Sequence, residues 1–214
     1  MWGRDAIKTG FDLNGKGLGK ALDWIADGVT LQNRGIGYAG SLAGTYLLPC
    51  DEGISIATQN LRRAKASHMS NSRALRPEFK EWASRVISQD TLNSVRVAYS
   101  KPADLDLPGT LAIKDIAITI DNLIFFPTPM HESPDMDESD LFLILHEIRH
   151  VQQYRERGGI EQFLKAYATY DSCQAIEKEA DANAQVRFSA LRGGKFTPGK
   201  HDCVQITGCS ASFK

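Results

Sequence analysis

Residues 141–154, LFLILHEIRHVQQY, place a His-Glu-x-x-His motif inside an apolar run. His146 and His150 are four positions apart, so on a helix their imidazoles lie on one face, about one turn from each other. Two imidazoles at this spacing can bind one zinc ion. Glu147 stands beside the first histidine, where it can act as general base toward water activated by the metal. The motif therefore predicts a catalytic zinc centre on a helix.

The residues around the motif predict that this helix is buried. Apolar positions precede His146 and continue to Tyr154, and a helix that is apolar nearly all round belongs in a core. Asp135, with Glu138 three residues later, resembles a capping box and predicts where the helix begins. A glycine pair at residues 158–159 predicts its end.

A second helical stretch, AIEKEADANA at residues 175–184, offers the third ligand that catalytic zinc needs. Glu177 is the favoured ligand, and Asp181, one turn later on the same face, can accept the second ring N–H of a zinc-bound histidine. Glu179 is expected to face solvent, although Glu179 and Asp181 both remain alternative ligands. An ordinary solvated acidic helix face is the competing interpretation.

Peptide hydrolysis at such a centre also needs a group that stabilises the oxyanion. The candidates are Tyr167, Tyr170, His131 and His201, and the two tyrosines are favoured because they lie between the ligand-bearing helices. Arg149, between the two histidines, is expected to face away from the metal and pair with acidic neighbours. The sequence does not select one oxyanion-stabilising residue.

Three stretches together resemble a known family: AITIDNLIFF (117–126), HEIRHVQQ (146–153) and EKEAD (177–181). They are similar to the gluzincin type of zinc metallopeptidase, in particular to a zincin-like domain found in bacterial toxins and in proteins linked to extracellular contractile injection systems. The resemblance covers residues 93–190. It implies an α+β, zincin-like fold in which a small mixed or antiparallel sheet packs on a buried zinc-site helix, with a helical N-terminal region.

The same resemblance implies zinc as cofactor, His146, His150 and Glu177 as its ligands, Glu147 as the catalytic base and Asp181 as an outer partner. It further implies an exported, periplasmic or injected bacterial effector that cleaves a protein or peptide, with an inhibitor or immunity protein as a second partner. In zincins, an edge strand beside the metal commonly aligns an extended peptide by backbone pairing.

The chain divides by pattern into four parts: a glycine-rich segment (1–53), a helical region that packs on the catalytic domain (54–90), the zincin-like domain (91–192) and a tail (193–214). Helices are predicted at 54–69 and 77–89, a strand at 92–99 and a β-hairpin within 113–126 around Asp121-Asn122. The apolar residues 27–53 are a hypothetical autoinhibitory plug, and the stretch 36–48 is too short to span a bilayer.

Composition indicates a soluble globular protein, with 42% hydrophobic and 24% charged residues and a net charge of −1. This charge gives no sign of a nucleic-acid or polybasic membrane partner, and no stable membrane span is expected. The four cysteines lack CxxC spacing, so a second zinc site is not expected. One or two disulfides are favoured, with Cys203 and Cys209 able to close a small loop, and would indicate an oxidising destination.

The sequence therefore favours a zinc metallopeptidase. The alternative is a zinc-binding module that keeps the fold and the metal but serves as a scaffold or as a secretion-associated binding domain without proteolysis. The intact Glu147 favours the enzyme, because a module that only binds zinc has no need of a general base.

Overall fold

The computed structural model of the chain describes residues 49–100 and 117–199, together with Cys203, Ile206 and Cys209. The predictions for residues 1–48, including the apolar stretch 36–48 and most of the hypothetical plug (27–53), lie outside the described residues. So does His201, one of the candidate oxyanion-stabilising residues.

The described residues form six helices and four strands. In chain order they are α1 (Cys50–Met69), β1 (Arg73–Ala74), α2 (Pro77–Ala83), α3 (Gln89–Ser94), β2 (Arg96–Tyr99), β3 (Ile118–Ile120), β4 (Leu123–Phe126), α4 (Glu138–Arg157), α5 (Ile160–Tyr167) and α6 (Tyr170–Arg192). This is an α+β protein with a small sheet, as predicted. None of the described helices is long and apolar enough to cross a membrane.

The four described strands form one mixed sheet in the order β1-β2-β4-β3. β2 runs parallel to β4, while β1 pairs with β2 and β3 pairs with β4 in antiparallel fashion. The predicted hairpin is confirmed: β3 and β4 are joined by Asp121 and Asn122, and Asp121 adopts a left-handed conformation with φ of 57°. Such a conformation is tolerated best by glycine, asparagine and aspartate.

Both faces of the sheet are covered, which explains why every residue of β4 is buried. Neighbouring residues of a strand point to opposite faces. Ile124 and Phe126 accordingly join an apolar cluster with α4, α2 and the end of α6. Leu123 and Phe125 join a second cluster with α1 and α5. Full burial of a side chain of this size stabilises a fold by about 1.5–3 kcal/mol, so the sheet is anchored firmly beside α4.

The elements predicted before β3 differ from the structure in three respects. The helix predicted at 77–89 ends at Ala83, and α3 begins only at Gln89, where Ser88 caps it by accepting a hydrogen bond from the Thr91 amide at 3.3 Å. Leu92 therefore lies in α3, and the strand expected from residue 92 begins only at Arg96. α1 also begins earlier than predicted, at Cys50 instead of residue 54.

The segment between β4 and α4 is held by an ion pair between the buried Glu132 and the partly exposed Arg73. Glu132, which is 0% exposed, accepts hydrogen bonds from both terminal nitrogens of Arg73, at 2.8 and 2.6 Å. The Tyr99 hydroxyl donates to the Met130 carbonyl at 3.0 Å. α4 then begins after Asp137, whose side chain makes no capping bond, so the predicted capping box of Asp135 and Glu138 is wrong.

Two disulfides tie the C-terminal tail to the folded domain, Cys50–Cys209 and Cys173–Cys203. Disulfide formation was predicted, but the small Cys203–Cys209 loop is wrong, because each of these cysteines pairs with a distant one. Between them, the Ile206 amide donates to the Ala168 carbonyl at 3.0 Å. Cys203, Ile206 and Cys209 are therefore attached to α6, to the residue that follows α5 and to α1.

Candidate metal centre

The candidate site lies between α4 and α6, two long helices that pack against each other. α4 carries His146 and His150, and α6 carries Glu177. All three side chains are buried, with 5, 7 and 7% of their surface exposed. The helical spacing places the histidines on one face, and helix packing brings the glutamate opposite them. Among the described residues, these three form the one group of histidine, cysteine and acidic side chains close enough to hold a metal ion.

The three inner atoms form a small triangle. Nε2 of His146 is 2.9 Å from Nε2 of His150 and 3.2 Å from Oε2 of Glu177, and Nε2 of His150 is 3.4 Å from the same oxygen. Tetrahedral zinc with bonds of about 2.0–2.1 Å separates its ligand atoms by about 3.3–3.4 Å. The triangle thus matches three tetrahedral ligand positions after small ring movements, and the donor set of two histidines and one glutamate is one that catalytic zinc uses.

Each of the two histidines is held by a hydrogen bond to a second residue. His146 Nδ1 donates to Asp181 Oδ1 at 2.9 Å, which is the outer-partner contact that the sequence predicts for Asp181. His150 Nδ1 donates to Gln153 Oε1 at 2.8 Å. These bonds leave both Nε2 atoms directed into the triangle. Residues of this kind fix the ring orientation and the tautomer of metal-binding histidines.

Gln153 contacts the candidate centre but was not singled out from the sequence. It is fully buried, and its Nε2 donates to the Ile176 carbonyl at 3.1 Å and also to Glu179. One side chain therefore orients His150 and joins α4 to the backbone just before Glu177. The available signal was its position three residues after His150, which places it near that imidazole on the helix.

Tyr167 contacts the centre through the third candidate ligand. Its hydroxyl donates to Glu177 Oε1 at 2.9 Å, while Oε2 of the same carboxylate faces the histidines. Tyr170, the other favoured oxyanion candidate, is 53% exposed, and His131 is also exposed. In this structure Tyr167 orients Glu177, and an oxyanion role for either tyrosine stays a prediction.

The electrostatics of the triangle favour a positive charge at its centre. Burial alone would lower the pKa of His146, but hydrogen bonds to Asp181 and Glu177 outweigh it and raise that pKa to about 10. Burial would likewise raise the pKa of Glu177, but the facing histidines hold it well below its usual range. Without metal, a proton on the histidines supplies this positive charge, and a divalent cation can replace the proton.

Glu147 lies outside the triangle and is 4% exposed. Its Oε2 accepts a hydrogen bond of 2.6 Å from the hydroxyl of Thr119, the central residue of β3. Thr119 is not predicted from the sequence, because its contact with Glu147 joins residues 28 positions apart in different elements. The carboxylate expected to act as base is therefore held by the sheet.

The remaining charged residues near the motif pair with one another. Arg149 donates to Glu179 at 2.7 Å and to Glu156 at 2.5 and 2.8 Å, which confirms that it pairs with acidic neighbours. Glu179 is thus engaged with Arg149 and Gln153, and Asp181 with His146. The structure therefore brings Glu177, rather than either alternative, to the two histidines.

Comparison with known proteins finds no protein-family model that matches the chain, no similar curated protein and no similar solved structure. The zincin-like resemblance of the three sequence stretches consequently stays a prediction. What the described residues establish is a mixed α+β fold with a buried cluster of two histidines and one glutamate.

Proposed function

We propose that this chain is a zinc-dependent peptidase of the gluzincin type. The observation that carries the proposal is the convergence of His146, His150 and Glu177 on one point, with a separate buried glutamate beside them. Three protein ligands leave the fourth tetrahedral position for water or substrate, whereas structural zinc sites are closed by four. The outer contacts to Asp181 and Gln153 support the same conclusion.

The chemistry follows from the residues around that point. Zinc held by His146, His150 and Glu177 would act as a Lewis acid and lower the pKa of bound water. Glu147 accepts a proton as the water oxygen attacks the scissile carbonyl carbon, and returns it to the leaving amine as the C–N bond breaks. The products are a new carboxyl end and a new amino end. Tyr167 holds Glu177 with one oxygen toward the histidines, which keeps the third ligand oriented.

The position of β3 supports an extended peptide as the substrate. β3 is one of the two outer strands of the sheet among the described residues, and its Thr119 contacts Glu147. An exposed strand edge can pair with an extended chain through backbone hydrogen bonds, which would place a peptide bond near the base. We therefore propose protein or peptide substrates bound in extended form.

The two disulfides support an oxidising place of action. Disulfides persist outside the cell and in the periplasm, while cytosolic proteins are kept reduced. We accordingly propose that the chain acts after export, as an effector that cleaves a target protein. An inhibitor or immunity protein that covers the centre in the producing cell would fit this role.

The test begins with zinc measured by elemental analysis on purified wild type, His146→Ala, Glu177→Ala and Glu147→Gln. We expect about one zinc per chain in wild type and in Glu147→Gln, and loss in the other two. Among these four proteins, only wild type should cleave a peptide library. Glu156→Gln, an exposed substitution on the same helix, is the control and should cleave normally.

Each outcome has a distinct meaning. Absence of zinc from wild type, even after zinc is added, would refute the proposal. Zinc binding without cleavage of any peptide would favour the non-proteolytic binding module. Full zinc retention in Glu177→Ala would mean that zinc binds the chain but that its third ligand is another residue.

A further inference from the structure

The hydroxyl of Thr119 makes the one hydrogen bond that the described residues offer to the carboxylate of Glu147. The Thr119 oxygen lies 2.6 Å from Glu147 Oε2 and 3.3 Å from the Glu147 backbone oxygen. An ionised carboxylate can only accept, so the threonine hydroxyl is the donor. We propose that Thr119 is the positioning residue for the general base, an inference that rests on the proposed peptidase function.

The geometry divides the two oxygens of the carboxylate between two tasks. Oε2 is engaged with Thr119, so Oε1 is the oxygen left to accept a proton from water. Thr119 is 8% exposed and Glu147 is 4% exposed, so bulk water does not compete for this bond. A hydrogen bond to an ionised group is shorter and about twice as strong as a neutral one, which limits rotation of the carboxylate.

Both partners sit on rigid elements. Thr119 is the central residue of β3 and is paired with Ile124 of β4, while Glu147 lies in the middle of α4. A threonine side chain in a strand has few accessible rotamers, because its Cβ is branched. The base is therefore held between a strand and a helix, and groups supported in this way keep their geometry better than groups on loops.

Two substitutions of Thr119 distinguish a positioning role from a role in packing alone. Thr119→Val keeps the shape of the side chain and suits a strand, but it removes the donor. Thr119→Ser keeps the donor but removes a buried methyl group and strand propensity. If Thr119 serves only packing, valine is tolerated better than serine. If it positions Glu147, serine is tolerated better than valine.

The first experiment measures zinc content, kcat and KM for peptide cleavage in wild type, Thr119→Val and Thr119→Ser. We expect Thr119→Val to keep its zinc and KM while kcat falls about 10- to 100-fold, a part of what a general base contributes. Thr119→Ser should stay within about threefold of wild type, because its hydroxyl still donates.

Thr58→Val is the matched control. Thr58 is also a buried threonine, at 3% exposure, but its hydroxyl has no hydrogen-bond partner among the described residues. The same substitution there removes a hydroxyl of equal size without touching the centre. It should leave zinc content, kcat and KM unchanged.

The second experiment does not depend on turnover. Acetohydroxamic acid chelates zinc and must give up or share its hydroxyl proton, for which Glu147 is the available acceptor. Calorimetry on the zinc-loaded proteins should show at least fivefold weaker binding to Thr119→Val, and wild-type binding to Thr119→Ser and Thr58→Val.

The outcomes separate this inference from the function on which it rests. A wild type that binds zinc and the hydroxamate but cleaves no peptide would refute the peptidase, and the hydroxamate affinities would still decide the role of Thr119. Wild-type affinity and kcat in Thr119→Val would overturn the inference, and so would a Thr119→Ser variant that performs worse than Thr119→Val.

Discussion

At the scale of single residues, the candidate centre is organised by contacts between one ligand and one outer partner. Asp181 holds His146, Gln153 holds His150 and the Tyr167 hydroxyl holds Glu177. The orientation of each candidate ligand is therefore fixed by a hydrogen bond as well as by its own rotamer preferences. This arrangement lowers the entropy lost when a metal binds, because the side chains are ordered before it arrives.

The pKa of His146 gives a test of the metal-free protein. That pKa is raised from 6.5 to about 10 by its carboxylate partners, which outweigh the lowering caused by burial. A raised pKa stabilises the folded state fully below pH 6.5, and this stabilisation disappears as pH rises through about 10. We expect the Tm of metal-free protein to fall across that range, as measured by circular dichroism.

Zinc binding should show the opposite pH dependence, because a metal ion binds His146 only when its Nε2 carries no proton. Zinc affinity, measured by competition with a chelator, should therefore rise as pH increases from 6.5. His131→Gln removes an exposed histidine and is the control, with the same pH dependence as wild type. A metal-free Tm that does not change over this interval would contradict the prediction.

At the scale of elements, α4 has hydrogen-bonded capping at its C-terminus but no side-chain cap at its N-terminus. Asp137 precedes the helix without a side-chain capping bond, whereas Gly158 ends it in a left-handed conformation with φ of 90°. The Gly158 and Gly159 amides donate to the carbonyls of Arg155 and Tyr154, at 3.2 and 2.8 Å. This end directs the chain into α5, which carries Tyr167 toward Glu177.

Gly158→Ala should destabilise the protein by about 1–2 kcal/mol, because a residue with a Cβ is strained in the left-handed region. The cost should come from the backbone, since a Cβ at this position would meet its nearest atom, Gln162 Cγ, at an ordinary 3.9 Å. Gly158→Asn should cost less, because asparagine tolerates this conformation. Urea unfolding measures each difference.

Gly199→Ala is the control for that comparison. Gly199 has no positive φ, and a Cβ there would meet no atom within 4 Å. Its substitution should leave the free energy of unfolding within about 0.5 kcal/mol of wild type. Equal stability of Gly158→Ala and Gly199→Ala would contradict the role assigned to the helix end.

At the scale of the whole molecule, two disulfides connect the tail to the helices around the centre. Cys173 lies one turn before Glu177 on α6, and Cys50 is the first residue of α1. The bridges join residues 30 and 159 positions apart in the sequence. In the chain-entropy description, a longer loop restricts the unfolded chain more and stabilises the fold more.

Removing the Cys50–Cys209 bridge should therefore cost more than removing the Cys173–Cys203 bridge. For loops of these lengths the expected losses are about 5 and about 4 kcal/mol. Paired cysteine-to-alanine variants, compared by urea unfolding at equal zinc occupancy, test the order. A larger loss from the shorter loop would mean that local packing around Cys173, which is 0% exposed, outweighs chain entropy.

Short-range features of this protein could be read directly from the chain. The pairing of His146 with His150, the end of α4 at Gly158 and the β3–β4 turn follow from helix periodicity, glycine conformation and turn chemistry, which act over a few residues. The α+β class follows from the same patterns. The spacing between Glu177 and Asp181 favours Glu177 as the third ligand, although spacing alone leaves Glu179 and Asp181 as alternatives.

Only the tertiary structure decided which distant residues meet. The bonds from Thr119 to Glu147, from Gln153 to the Ile176 carbonyl and from Tyr167 to Glu177 depend on how strands and helices pack. The pairing of the cysteines depends on it in the same way, and for this reason the short loop expected from sequence is wrong. Local sequence specifies conformation over about one turn, whereas contacts between elements are selected by burial of their apolar faces, which no short pattern encodes.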